Sequence, residues 1–334
     1  MKVKTDTEKE IFANRLLKNY KHLNKWARRA GVYSYRLYDK DVPGFPLLIE
    51  LYKNIEETKY LVVSIYKGNS LGSDNIEKDR EWLGEMSLFC ASILSVKKEN
   101  VFCKVRERLK GDLQYQKTEN VRSSFITTKE GTALFYLNLS DYIDTGLFLD
   151  MRELRLHIGK TAKDKDVLNL FSYTASFSVH AMLGKARSVC SVDSSNTAIK
   201  WARKNIALNG LVESSAFELK KMDVIFFLQE AIKQKKAWDV IICDAPTFSN
   251  SKSRKSVLDV KNDYLSLCVQ CIRLLKRHGV LYFSSNARSI KFDASFLRAK
   301  SPHNIFIKDI SLASIPRDFR NKKIHKAWKI VRED

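Results

Sequence analysis

Carboxylates stand at the ends of two apolar runs in this chain. Ser188-Val189-Cys190-Ser191-Val192 runs into Asp193, and Trp238-Asp239-Val240-Ile241-Ile242-Cys243 runs into Asp244. A carboxylate at the tip of the second strand of an α/β nucleotide site, here Asp193, is placed to accept hydrogen bonds from ribose hydroxyls. Ahead of both lies Val167-Leu168-Asn169-Leu170-Phe171-Ser172-Tyr173-Thr174-Ala175-Ser176-Phe177. Its apolar opening, small hydroxylated middle and amphipathic continuation from Ser176 give the order strand, tight turn, helix N-terminus. Such a turn holds a ligand at the carboxyl end of its strand. Any doubly wound α/β domain also carries polar residues at strand tips, and these tips alone leave both readings open.

The residues after Asp244 make the pattern specific. The paired signals Asn169-Leu170-Phe171-Ser172-Tyr173-Thr174 and Asp244-Ala245-Pro246-Thr247-Phe248-Ser249-Asn250-Ser251-Lys252 resemble the S-adenosylmethionine (SAM) and substrate motifs of the class I rRNA methyltransferases. The nearest resemblance is to the C-terminal, guanine-N7 half of the bacterial bifunctional 23S rRNA methyltransferase family, RlmKL. It extends through Phe12–Leu16, Arg106–Arg108, Tyr115–Lys117, Asp144–Asp150 and Ile324–Trp328, nearly the whole chain. Two residues depart from the family pattern: Ala175 stands where glycine is usual, and Ala245 where the first of two prolines is usual. Alanine fits the first position only with negative φ, so a negative φ is expected there. Losing the first proline loosens the second turn.

The resemblance implies an α/β fold of the class I, Rossmann-like kind, with a seven-stranded sheet over residues 144–334, its last strand antiparallel beside the fifth. A smaller α+β RNA-binding region over residues 1–143 precedes it. It implies SAM as cofactor and S-adenosylhomocysteine (SAH) as product. Cofactor contacts then fall to Phe148, Asp150 and Arg152, to Asn169, Phe171, Ser172, Tyr173 and Thr174, to Asp193, Ser194 and Ser195, and to Met222, Asp223 and Val224. Asp150 and Arg152 suit the zwitterionic tail of SAM, although by themselves they read as an ordinary helix-start salt bridge. Asp223 is placed to accept from the adenine amino group, or to cap the helix that begins at Val224, or both.

Catalytic duty falls to Asp244, Pro246, Thr247 and Phe248. Guanine N7 has a lone pair and no proton, so its methylation needs no general base, and a carboxylate and an aromatic face can stabilise the cationic product ring. Methylation of pyrimidine C5 requires a cysteine nucleophile, which the resembling branch places just after the fifth strand. This chain reads Phe283-Ser284-Ser285-Asn286-Ala287-Arg288 there. Guanine-N2 or cytosine-C5 methylation, and a non-catalytic RNA-binding or ribosome-assembly role, are the alternatives. The guanine-N2 activity of the family belongs to its other half, which would reside on a separate protein.

These sites need elements to hold them. Strands read at Val167–Phe171, Ser188–Val192, Ala216–Leu219, Val240–Cys243, Val280–Ser284, Asn304–Ile310 and Ala327–Val331, with helical periodicity between most of them. Upstream, Glu8–Ala30 reads as a basic amphipathic helix with Gly31 as C-cap. Strands at Tyr33–Tyr38, Pro46–Tyr52 and Tyr60–Tyr66 should pair antiparallel. A helix over Glu77–Leu94 and strands at Val101–Arg106, Ser124–Thr128 and Ala133–Leu139 complete this region.

Among 334 residues, 59 Lys and Arg against 38 Asp and Glu give a net charge of +21, which points to a polyanionic partner, ribosomal RNA or its precursor. Arg15, Arg106, Arg108, Lys117, Lys252, Arg288, Arg320, Lys322 and Lys323 are the expected RNA contacts. No apolar run is long enough to span a bilayer and the amino terminus lacks the apolar core of a signal peptide, so a cytoplasmic location without membrane partners is expected. The six cysteines form no metal-binding spacing and read as reduced core residues, so no metal is expected.

Overall fold

The computed structural model describes residues 5–66, 76–106, 124–249, 258–287 and 289–334. They divide into two compact units, one running to Thr145 and including Arg317–Asn321, the other comprising the rest from Gly146.

In the first unit, Thr5 caps helix α1 (Asp6–Ala30) through a reciprocal capping box with Glu8, and Gly31 ends it at φ 63° in the left-handed conformation that glycine tolerates. Strands β1 (Ser34–Asp39), β2 (Leu48–Lys53) and β3 (Lys59–Tyr66) pair antiparallel in sequence, as their aromatic and β-branched runs predict. After α2 (Ile76–Leu94), β4 (Val101–Arg106) joins β3 in parallel, the helix being the crossover a parallel pair requires. Phe12 and Leu16 of α1 and Trp82, Leu83 and Met86 of α2 share one core with Leu51, Leu61 and Val63 of the strands. A hairpin of β5 (Phe125–Glu130) and β6 (Ala133–Asn138) follows.

Buried charge ties this unit together. The Arg36 guanidinium lies 2.7 Å from Glu50, whose other oxygen accepts from the Tyr52 hydroxyl at 2.8 Å. Burial pushes the Glu50 carboxyl upward, but the charges of Arg36 and Arg106 hold it at about 2. The Arg36 N–H donates to Asp318, and its guanidinium lies over the Phe319 ring. Those contacts, with the Arg320–Asp41 pair, explain why Arg317–Asn321 groups with this unit although a continuous domain was expected over 144–334.

The second unit opens with a short 3-10 turn (Leu149–Met151) and α3 (Arg152–Thr161). It then alternates strand and helix: β7 (Asp166–Leu170), α4 (Ser176–Leu183), β8 (Ser188–Asp193), α5 (Asn196–Leu208), β9 (Phe217–Lys221), α6 (Val224–Lys233) and β10 (Trp238–Ala245). A two-residue ladder, β11 (Phe248–Ser249) with β12 (Leu258–Asp259), precedes α7 (Val260–Arg273). Then come β13 (Leu275–Ser285), α8 (Ala294–Lys300), β14 (Ile305–Asp309), α9 (Ser311–Ser314) and β15 (Lys326–Arg332).

Seven of these strands form one sheet in the order β14-β15-β13-β10-β7-β8-β9. β7, β8, β9, β10 and β13 are parallel, and β15 runs antiparallel beside β13, the fifth of the series, as expected. β10 and β13 extend past their predicted starts because Trp238 and Leu275 pair beyond an irregularity in register. Strand order reverses between β7 and β10, so their tips border the crevice where open α/β sheets bind ligands. Among the described residues no helix is long and apolar enough to cross a membrane, and no cluster of metal-ligating side chains occurs.

Candidate active site

The turn after β7 is built by backbone strain. Phe171, Tyr173 and Ala175 adopt positive φ of 54°, 49° and 60°. The expected negative φ at Ala175 is therefore wrong: the residue keeps the left-handed geometry of the usual glycine while carrying a Cβ. Left-handed alanine costs roughly 1–2 kcal/mol, and the surrounding bonds hold it in place. The Ala175 N–H donates to the Ser172 carbonyl at 2.8 Å, its own carbonyl accepts from Val179, and the side chain is fully buried. Thr174 anchors the turn by donating to the Gly146 carbonyl at 2.7 Å. Gly146 sits at φ 98°, and a Cβ there would meet the Trp201 ring at 2.2 Å.

That turn delivers its amides to the tip of the next strand. The Tyr173 N–H donates to Asp193 Oδ2 and the Ser195 N–H to Oδ1, both at 2.8 Å. Burial nevertheless pushes Asp193 up to about 6, against the pull of the Ser195, Tyr173 and Ser194 amides. Ser195 also caps α5. A carboxylate whose ionisation burial makes costly, and whose opposing pull comes from neutral amides, suits a ligand that donates hydrogen bonds.

Around it, Asn169 Nδ2 donates to Ser178 at 2.8 Å, whereas Asn169 Oδ1 and Ser172 Oγ are buried without a hydrogen-bond partner. Buried polar atoms left so are costly, and a polar ligand at this crevice offers them partners. Phe148 is 37% exposed and its ring lies 5.3 Å from that of Tyr173. Asp223 caps α6, accepting from Ile225 and Phe226 at 3.0 and 3.1 Å. Its capping role is thus present whether or not it meets a base. Met222 donates its N–H to the Asp193 carbonyl and is half-buried, while Val224 belongs to the core.

At the tip of β10, Asp244 is half-buried and accepts from the Ser284 hydroxyl at 2.7 Å. Burial raises its carboxyl above the usual range, Ser284 opposes the rise, Asp150 adds to it, and His325 and Arg155 pull it down. Pro246 and Thr247 are half-buried and Phe248 is 41% exposed. Cys243 is fully buried in the core, unsuited to nucleophilic work.

Asp150 and Arg152 are both buried, but Asp150 meets a residue to which the sequence assigned no role. His325 Nδ1 lies 3.0 Å from Asp150 Oδ2, and its Nε2 lies 2.8 Å from Ser314 Oγ. The only sequence signal for His325 was its place in the resembling segment Ile324–Trp328.

The expected RNA contacts divide. Arg15 and Arg320 converge on Asp41 at 3.1 and 2.6 Å, and Arg106 pairs with Asp144 at 3.6 Å, so these three have structural partners. Lys322 and Lys323 are exposed. Arg108, Lys117, Lys252 and Arg288 lie outside the described residues. An open hollow of about 610 Å³ along α1 is lined by Tyr20, Lys21, Asn24, Lys25, Arg28 and Arg29.

Strand order, the strained turn and the three carboxylate tips define a Rossmann-like methyltransferase domain, and comparison with known proteins agrees. The family model for S-adenosylmethionine-dependent methyltransferases matches residues 61–308, and the chain belongs to that family. It is 40% identical to ribosomal RNA large subunit methyltransferase K of Neisseria meningitidis serogroup B, over 98% of this chain and 89% of that protein. It is 43% identical to ribosomal RNA large subunit methyltransferase K/L of Psychromonas ingrahamii, over 96% of this chain but 41% of that protein. Among solved structures, SMU.776, proposed to be a methyltransferase and solved with SAH, shares the fold with a TM-score of 0.69 at 23% identity, covering 99% of this chain and 83% of that one. The protein is a SAM-dependent methyltransferase with the class I fold.

Proposed function

We propose that this enzyme methylates N7 of a guanine in 23S rRNA or its precursor, near the peptidyl-transferase region. The observation that carries the reading is the tip of β10, where a half-buried carboxylate, Asp244, precedes an exposed aromatic face, Phe248, while Ser284-Ser285-Asn286-Ala287 at the end of β13 offers no cysteine. A large-subunit ribosomal RNA substrate is supported by the 40% identity to methyltransferase K over nearly the full length of both chains. The net charge of +21 and the basic hollow on α1 supply the counter-charge that a phosphate backbone requires.

SAM supplies an activated methyl, transferred in line to the nucleophile. Asp193 would hold the ribose, with Ser194 and Ser195 beside it, and Asp150 and Arg152 the amino-acid tail. Asp223 and Met222 would meet the adenine, with Val224 behind them. Asn169, Phe171, Ser172, Tyr173 and Thr174 form the floor, and Phe148 flanks it. Alignment alone can supply roughly 7–11 kcal/mol of such a barrier. Thr247 and Pro246 would position the base, Phe248 stack on it, and Asp244 stabilise the positive charge that grows on the ring. Lys322, Lys323 and the α1 lysines and arginines would contact phosphates, and their contribution should weaken steeply with salt.

N7-methylguanosine makes RNA cleavable by borohydride followed by aniline. RNA treated with the enzyme and labelled SAM should be cut at one guanine. Label without scission, found in the guanine amino group or in cytosine, would replace this reading with the corresponding alternative. A protein that binds RNA but not SAM would be a non-catalytic scaffold.

A further inference from the structure

We infer that His325 is a positioning residue for the cofactor: its Nδ1–H fixes the Asp150 carboxylate in the orientation that receives the ammonium group of the SAM amino-acid tail. The inference rests on the assignment of Asp150 to the cofactor and adds the residue that makes Asp150 effective.

Asp150 lies in the 3-10 turn that leads into α3, and a carboxylate there has two rotatable bonds. His325 removes that freedom from one side. It is 1% exposed, immediately precedes β15, and is held at both ring nitrogens, by Asp150 Oδ2 at 3.0 Å and by Ser314 Oγ at 2.8 Å. Ser314 is itself buried and its Oγ, 2.8 Å from Nε2, also lies 2.9 Å from the Ser311 carbonyl oxygen, its one hydroxyl hydrogen serving one of the two, so the ring is held from α9. An anionic carboxylate only accepts, which places a proton on Nδ1. Oδ2 is committed to the ring, leaving Oδ1 as the atom for an ammonium donor.

The electrostatics agree. Asp150 and Asp244 repel one another, and His325 and Arg155 offset that repulsion at Asp244. A cationic ammonium beside Asp150 suits this pair of acids better than a neutral group. Removal of a group that orients a ligand-binding side chain is felt through the side chain it orients.

Equilibrium titrations that compare SAH with its analogue lacking the α-amino group separate this role from simple packing. The parent should bind SAH about tenfold to a hundredfold more tightly than the analogue, the range for one hydrogen bond between charged groups. His325→Ala and His325→Gln should shrink that preference to a few-fold while leaving the analogue's own affinity nearly unchanged. His325→Asn, whose amide nitrogen stands in for Nδ1, should retain most of it. If the alanine variant fails to fold, the two amide variants carry the comparison, and Asp150→Asn should show the same lost preference. A preference that survives in His325→Ala or His325→Gln overturns the inference while leaving Asp150 in place. A parent with no preference for the amino group, and an Asp150→Asn variant equal to it, removes Asp150 from the cofactor site and the inference with it.

Discussion

Each unit buries a carboxylate, and their environments drive the two in opposite directions. In the first unit Glu50 is met by Arg36 at 2.7 Å, sits within the field of Arg106, and is held at about 2. In the second, Asp193 is met by backbone amides and raised to about 6. Amides alone offset desolvation incompletely, whereas a close guanidinium more than offsets it. A paired buried charge therefore ties the fold together, and an under-compensated one is chemically suited to a ligand that donates hydrogen bonds.

The sharpest way to break this comparison is Glu50→Gln. It removes the anion that Arg36 meets at 2.7 Å, leaving Asp39 3.4 Å from Arg36 and Asp144 3.6 Å from Arg106, and loss of one partner of a buried pair typically costs about 3–5 kcal/mol. Denaturant unfolding should show that loss, while SAH affinity of the folded fraction stays unchanged. The pH dependence has a definite sign. Because the Glu50 carboxyl is depressed from 4.5 to about 2, its contribution, of order 3 kcal/mol, is present above pH 4.5 and is lost as pH falls toward 2.

Asp244→Ala should do the reverse, leaving stability nearly intact but cutting methyl transfer about one hundred to one thousand-fold, as removal of an electrostatic stabiliser does. Single-turnover rates with saturating SAM measure it. A variant that turns over like the parent would remove Asp244 from the chemistry.

Asp193 provides a pH test of opposite sign to Glu50. Its folded-state value is raised from 3.8 to about 6, so in the unliganded protein this group's contribution to stability declines as pH rises from 4 to 6. Binding of SAH should favour the ionised carboxylate, and affinity should weaken by up to about tenfold per pH unit below 6. Asp193→Ala should bind too weakly to measure. Tight, pH-independent binding by that variant would contradict the ribose role.

The smallest effect concerns the strained turn. Ala175→Gly relieves a left-handed Cβ at φ 60° but adds chain entropy to the unfolded state, so a net gain of about 0.5–1 kcal/mol is expected. A loss of stability would mean that packing of the buried methyl outweighs the strain.

Local sequence determined a good deal of this. Apolar runs ending in Asp193 and Asp244 located β8 and β10, because a parallel strand buried on both faces must be continuously hydrophobic. Gly31 marked the end of α1, because a cap acts within a turn of the helix end, whereas the start read at Glu8 lies two residues inside the helix that Thr5 caps. The antiparallel last strand followed from motif resemblance, and the order strand, tight turn, helix around Ser172 from the residue pattern. Tertiary structure decided what depends on distant partners. The φ of Ala175 was misjudged because its cost is borne by bonds to Ser172 and Val179 and by complete burial, none of which the residue type reveals. Arg15 and Arg320 read as RNA contacts from their charge, and only the fold shows that both also meet Asp41. His325 and Asp150 are separated by most of the second unit in sequence, and only the folding of β15 and α9 around the turn at Leu149–Met151 brings them within 3.0 Å. A hydrogen bond acts over one contact distance, so composition and spacing cannot register it until the sheet has closed.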